Sequence, residues 1–264
     1  MTSPLQGRVA LVTGSTQGIG LATLRALAGA GCDVMMHGLV GNASAIEAER
    51  ASVQNTTGVR VGFHGADLSS GPEVDALFRT TGALLGPVDI LVNNAVTRHR
   101  SLIEAMPMER WEQALAVNLT APFRLTQLAL PGMKSRKWGR IVNVTSRFAF
   151  AGTAERVDYV ATKHALTGLS RSTAIEAAPF GITCNIVCPG AILTPHADGT
   201  IRERMEALGQ DREEAERTFL ANRGPLGRFI SPESVAALIL FLCGPDAAEM
   251  TGSPVIIDGG WSAL

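Results

Sequence analysis

The chain has 264 residues, 46% hydrophobic and 18% charged, and a formal net charge of -1. That length and mixture can fill the core of one sizeable α/β domain, and the near-neutral charge gives no electrostatic reason to expect a nucleic-acid or anionic-membrane partner. Residues 1–8 are polar and lack the basic and apolar regions of a signal peptide, and no apolar run reaches the roughly 18 residues of a membrane span, so a soluble cytoplasmic protein is expected.

Short apolar runs alternate with helical patterns along the chain. Strands are expected at 9–12, 34–36, 59–63, 88–92, 140–144, 182–187 and 255–257. Between them, helical spacing of apolar residues predicts helices at 19–30, 43–54, 73–85, 108–133, 157–177 and 232–242. Strands that read as continuous apolar runs are buried on both faces. Alternation with helices makes them parallel, joined by helical crossovers. The expected fold is a doubly wound parallel sheet of Rossmann type, a three-layer α/β/α single domain over 1–264, with ligands binding beyond the carboxyl ends of the strands. Residues 198–222 are charged and read as a helical excursion. A helical substrate lid over 196–223 is the functional expectation, and an exposed helix pair is the alternative. Cys32, Cys184, Cys188 and Cys243 form no Cys-x-x-Cys pair, so no metal site is expected.

The first strand runs into Thr13-Gly14-Ser15-Thr16-Gln17-Gly18-Ile19-Gly20. Gly14 permits a tight turn, Gly18 lets backbone approach a pyrophosphate, and Gly20 lets the next helix pack against the sheet. The helix N-terminus offers free N–H groups and the positive end of its dipole to phosphate. Further on, Tyr159 and Lys163 stand four apart in a predicted helix and so share a face. Tyr159 is the only tyrosine in the chain. An unperturbed phenol titrates near pH ~10, and a neighbouring ammonium would favour its phenolate. The pair is therefore a candidate acid/base unit.

The Gly-x-x-x-Gly-x-Gly spacing after Thr13 resembles the short-chain dehydrogenase/reductase family, and the resemblance extends from Gly7 to Trp261. It implies a catalytic set of Asn118, Ser146, Tyr159 and Lys163. It implies nucleotide contacts from Gly14, Thr16, Gln17, Gly18, Ile19, Gly20, Gly38, Asp67, Leu68, Asn94, Ala95, Tyr159, Lys163, Pro189, Gly190, Ile192 and Thr194. Asp67 would hold the adenine amino group, and Pro189-Gly190 with Thr194 would flank the nicotinamide. The Asn93-Asn94-Ala95 run matches the family, but Val96 replaces its glycine, which brings the local backbone geometry into question. The implied activity is hydride transfer between a nicotinamide and an alcohol or ketone carbon. In the oxidative direction Tyr159 would take the proton, Ser146 would hold the substrate oxygen, Lys163 would lower the tyrosine pKa and bind ribose, and Asn118 would hold a relay water.

The second strand ends in His37-Gly38-Leu39-Val40, with neither an acid for a ribose hydroxyl nor a cation for a 2′-phosphate. Without a cation, NAD is favoured over NADP, unless His37 protonates. Gly38, Gly65-Ala66-Asp67-Leu68-Ser69, His99, Leu102-Ile103-Glu104 and Asp258-Gly259-Gly260-Trp261 make the chain resemble, within the family, the bacterial 3-hydroxybutyrate dehydrogenases, with Arg98, Phe148, Arg156 and Ala191 departing from their pocket. Arg98, Arg147 and Arg156 lie on segments expected to converge at the site mouth, where arginine grips planar anions. An acidic hydroxy substrate is therefore expected, held by Arg98, Ser146, Phe148, Arg156 and Ala191. The alternatives are arginines paired with Glu155 and Asp158, a neutral sugar, cyclic or aromatic alcohol as substrate, and, more remotely, a non-catalytic cofactor sensor. The resemblance also implies a homotetramer built on the two long helices and the C-terminal strand region.

Overall fold

A computed structural model describes residues 5–221 and 224–263. Seven strands form one parallel sheet: β1 (Val9–Val12), β2 (Asp33–Gly38), β3 (Val61–Gly65), β4 (Ile90–Asn93), β5 (Gly139–Val144), β6 (Ile182–Pro189) and β7 (Pro254–Ile257). Their spatial order is β3-β2-β1-β4-β5-β6-β7. Each neighbouring pair is parallel. The order reverses between β1 and β4, and a crevice opens there beyond the strands' carboxyl ends.

Two apolar clusters cover the two faces of the sheet. Ala10, Val12, Val34, Met36, Ile90 and Val92 pack with helices α1 (Gly18–Gly29) and α9 (Pro232–Cys243). Val9, Leu11, Met35, Leu91 and Ile141 pack with α3 (Gly71–Leu84), α5 (Ala121–Arg136) and α6 (Val157–Ala177). Successive residues of β1 belong to opposite clusters because strand side chains alternate faces. That explains why the strands read as unbroken apolar runs. The remaining helices are α2 (Ala43–Thr57), α4 (Met108–Leu115), α7 (Pro195–Leu208) and α8 (Arg212–Leu220).

The expected helix over 108–133 is helical throughout, with one change of hydrogen-bond ladder. A π-helical turn at Ala116–Thr120 separates α4 from α5, and Pro122 opens α5. Proline supplies no N–H, so a local change of hydrogen-bond ladder at its N-terminal side follows. Within the expected excursion, residues 195–208 and 212–220 fold as helices, α7 and α8, joined by an ion pair from Arg212 to Asp198, while Arg212 also pairs with Glu216 within α8. Asn222 and Arg223, the end of the expected lid, lie outside the described residues, as do the side chains of Pro195 and His196. Among the described residues no helix is long and apolar enough to cross a membrane, and no group of acidic, histidine and cysteine side chains could hold a metal.

Candidate active site

The glycine-rich turn closes the carboxyl end of β1. Gly14 sits at φ +62° and Gly18 at +55°, where a side chain would be strained. A Cβ on Gly20 would fall on the Gly14 carbonyl oxygen and 2.6 Å from Asn94 Nδ2. The Asn94 amide in turn donates to the carbonyls of Thr13 and Gly14, each at 3.0 Å. Thr13 Oγ1 accepts from the backbone of Asn94 and Ala95 at 3.0 and 3.1 Å. The turn after β1 and the end of β4 are thus one hydrogen-bonded unit. Helix α1 begins at Gly18 with no side-chain cap and no acid in its first turn, which leaves its N-terminal donors and dipole for an anion. Space beside Gly18 is open, with nothing within 4 Å of an added Cβ. Together these features fit the pyrophosphate of a dinucleotide.

His37 has a structural place in this unit. Its Nδ1 accepts from Gly14 N at 3.0 Å, and its Nε2 faces the Ala66 carbonyl at 3.1 Å. The ring is therefore neutral, with its proton on Nε2. Burial lowers its pKa to about 4, with the His64 charge acting the same way. A ring used at both nitrogens and this reluctant to protonate offers no charge to a 2′-phosphate. Beside it, a Cβ on Gly38 would meet Thr16 Cγ2 at 2.7 Å. Leu39 and Val40 project into solvent beyond. Asp67 follows β3 and accepts from Ser69 N and Oγ at 2.9 and 2.8 Å, while the adjacent Leu68 is buried. At the other side of the crevice, Gly190 N donates to Ile257 O at 2.9 Å. A Cβ there would strike the Asp258 backbone at 2.6 Å. Ala191 and Ile192 pair with Ile230, and Thr194 caps α7.

The four candidate catalytic side chains come from three segments. Ser146 ends the β5 side, and its hydroxyl accepts from Phe148 N at 3.2 Å. Tyr159 and Lys163 lie on the first turns of α6. Lys163 is buried and donates to Val144 O at 2.7 Å. Asn118 lies in the π-helical turn. Its Oδ1 accepts from Thr97 N at 2.8 Å, and its Nδ2 donates to Thr97 O at 2.9 Å and to Thr162 Oγ1 at 3.2 Å. The π-turn and the β4 end are thereby tied to α6.

Burial raises the Tyr159 pKa, opposed by a hydrogen bond with the Ser146 side chain and by the charges of Arg98, Arg156 and Arg147. Lys163 Nζ stands 5.7 Å from the Tyr159 ring centroid, and burial lowers its own pKa to about 8, with Arg98 adding to the effect. Nζ is held by the Val144 carbonyl, while the guanidinium groups gather at the mouth.

Those arginines do converge. Residue 101 pairs with residue 156 as an isolated bridge, and Ser101 N donates to Glu155 O at 3.3 Å. That pairing lays the Arg98–Arg100 segment along the start of α6. Arg156 has its pKa lowered by burial and then by Arg100 and Arg98. Among the described residues, Arg98, Arg100 and Arg156 have no carboxylate within ion-pair distance, and Asp158 is engaged by His99 instead. Arg147 is buried over the rings of Trp261 and Phe148, at 4.4 and 4.9 Å from their centroids. The two rings meet edge to face at 5.8 Å. Trp261 thus reaches the mouth from the far end of the chain, a placement without any local sequence signal. Val96 is accommodated without strain, because only Lys137 and Glu155 among the described non-glycine residues have positive φ. Its side chain is 44% exposed at the mouth.

Comparison with known proteins agrees with this geometry. Residues 8–205 match the family described as short chain dehydrogenase. The chain belongs to the short-chain dehydrogenase family. It is 43% identical to the D-beta-hydroxybutyrate dehydrogenase of Cupriavidus necator, over 98% of this chain and 99% of that protein. It is 37% identical to the D-beta-hydroxybutyrate dehydrogenase of Rhizobium meliloti, over 97% and 99%. Among solved structures, the L-sorbose reductase of Gluconobacter frateurii, in complex with NADPH and L-sorbose, superposes with a TM-score of 0.93 at 31% identity, covering 100% of both chains. As a short-chain dehydrogenase this chain is an oxidoreductase that uses a nicotinamide dinucleotide, NAD or NADP, and transfers hydride to or from a carbinol or carbonyl carbon.

Proposed function

We propose that this short-chain dehydrogenase interconverts a small hydroxy acid related to 3-hydroxybutyrate with its keto acid, using NAD. The observation that carries the substrate class is the arginine cluster at Tyr159. The charges of Arg98 and Arg156 act on the phenol, and neither has a carboxylate partner among the described residues. A substrate carboxylate would supply the missing negative charge through charge-assisted hydrogen bonds. The two relatives named D-beta-hydroxybutyrate dehydrogenase support the same class. A neutral polyol, the kind of substrate bound by the sorbose reductase, would leave these cations uncompensated. NAD is preferred because the second-strand tip, His37-Gly38-Leu39-Val40, carries no cation and His37 stays neutral.

When bound, the nicotinamide supplies the hydride acceptor in oxidation and the donor in reduction. In oxidation the Tyr159 oxygen takes the hydroxyl proton, and in reduction it returns it. Ser146 holds the substrate oxygen by hydrogen bond, with Phe148 and Ala191 shaping the pocket around it. Lys163 spends one of its three donors on Val144 O, and the others remain for ribose hydroxyls. Asn118 Oδ1 keeps one lone pair beyond the bond from Thr97 N, enough to hold a water that carries the proton onward. Helices α7 and α8 serve as the lid. The cytoplasmic setting belongs to this reading, with all four cysteines free and buried. So does a homotetramer, supported by apolar side chains exposed on α5 (Phe123), α6 (Ile175), α9 (Phe241) and the edge strand β7 (Ile256).

Initial rates with 3-hydroxybutyrate and its neutral ethyl ester, each with NAD+ and NADP+, test the assignment. The acid with NAD+ should be the best pair. Arg98→Met and Arg156→Met should each lower kcat/KM on the acid by about 10- to 100-fold and leave the ester little changed. Turnover of neutral alcohols alone, at rates indifferent to both substitutions, would overturn the substrate class. Sedimentation equilibrium at micromolar protein checks the tetramer, and a stable monomer would refute it.

A further inference from the structure

Residues 97–101 are held at alternate positions. Thr97 is gripped at both backbone atoms by the Asn118 amide, N at 2.8 Å and O at 2.9 Å. His99 is held twice by one oxygen of Asp158, through its backbone N at 3.1 Å and its Nδ1 at 3.0 Å. Ser101 pairs with the 155–156 backbone. His99 adjoins Arg98 and Asp158 adjoins Tyr159, so their contact brings these two neighbours side by side, with Arg98 and Arg100 exposed and the His99 side chain 11% exposed.

Asp158 is an unusual choice for its position. It is fully buried, immediately precedes Tyr159, and its Oδ1 has no hydrogen-bond partner among the described residues. Burying a carboxylate with one oxygen unsatisfied costs more than burying an apolar side chain of that size. The beginning of α6 offsets part of this cost, because a carboxylate is favoured at a helix N-terminus. Stability alone gives no reason for the pair, but registration of the 97–101 segment against the acid/base tyrosine does.

We propose that Asp158 and His99 are positioning residues that hold Arg98 beside Tyr159, and that they act on the substrate anion through Arg98 without touching it. This rests on the reading of Arg98 as the anion-binding side chain. An interaction spent on preorganising a ligand-binding group appears in ligand affinity, and it disappears when that group is removed. The pair is therefore coupled energetically to Arg98 and not to the nucleotide.

Calorimetric titration of the enzyme–NADH complex with 3-hydroxybutyrate, a pairing in which no chemistry occurs, tests this. Arg98→Met should weaken binding at least about tenfold, and His99→Leu by about tenfold, with NADH affinity and Tm held close to wild type. His99→Asn places an amide donor where Nδ1 stood and should recover most of the loss. The double variant should bind no more weakly than Arg98→Met alone. If the His99→Leu protein does not fold, Asp158→Asn, which keeps the volume and removes the charge, carries the same measurements. Three outcomes overturn the positioning role while leaving Arg98 as the anion ligand. They are wild-type affinity in His99→Leu, losses that multiply in the double variant, or an equal loss of NADH binding. Equal binding, or none, by wild type and Arg98→Met overturns the reading of Arg98 itself, and the positioning role with it.

Discussion

The two ends of the crevice are built by opposite means. At the nucleotide end, the turn after β1 is defined by backbone conformation and by neutral hydrogen bonds, accepted by the Thr13 and His37 side chains and donated by the Asn94 amide. At the mouth, Arg98, Arg100 and Arg156 have no carboxylate partner among the described residues, while the buried carboxylate of Asp158 is turned toward His99. On the proposed reading, the first region takes the nucleotide by shape and amide dipoles, and the second is an electrostatic imbalance that the substrate anion completes. Substitutions at the nucleotide end should therefore act on stability and nucleotide affinity together, and those at the mouth on turnover and substrate choice.

The sharpest separation comes from Tyr159→Phe. It removes one oxygen from the mouth and nothing from the turn. Turnover should fall by about 10²- to 10⁴-fold, the usual range for a lost general acid/base, with NADH affinity within about threefold of wild type. Kinetics together with fluorescence titration of NADH check both halves, and activity within tenfold of wild type would remove Tyr159 from the acid/base role.

A second test uses acid. The folded-state pKa of His37 is depressed from 6.5 to about 4 by burial, so the unfolded chain binds the extra proton between those values. The stability this gives is complete above pH 6.5 and is lost as pH falls toward 4, amounting to about 3 kcal/mol. Urea unfolding of wild type and His37→Phe from pH 7 to pH 4 should show the stability difference between them shrinking by about that amount. Parallel loss in the two proteins would show that His37 does not account for the acid sensitivity of the nucleotide end.

The smallest expected effect is at Gly20. An added methyl meets the Gly14 carbonyl and the Asn94 amide, both part of the hydrogen-bonded turn. Gly20→Ala should gain less than about 1 kcal/mol in helix propensity and lose about 2–3 kcal/mol to overpacking. The result is a net destabilisation of about 2 kcal/mol with weakened NADH binding. An unchanged Tm would show that the turn yields more easily than its contacts imply.

The strand and helix alternation, the glycine turn and the Tyr159–Lys163 spacing are local signals, carried by periodicity and by residues near in sequence. They were sufficient for the parallel sheet, while Asn118 and Ser146 entered the expected catalytic set through the family resemblance. The interruption at Ala116–Thr120 was not legible, because apolar spacing runs through it and a change of hydrogen-bond ladder leaves that spacing intact. The two uses of His37 were equally hidden, since one partner lies 23 and the other 29 residues away. The sequence by itself determined the sheet, the chemistry class and the presence of arginines near the site. Only tertiary structure decided which cations act on Tyr159, that Lys163 turns to Val144, that Asp158 takes His99 rather than an arginine, and that Trp261 stacks on Arg147. Each of these depends on distance and burial between segments remote in the chain, and Coulomb and desolvation energies respond to those quantities, not to order along the sequence.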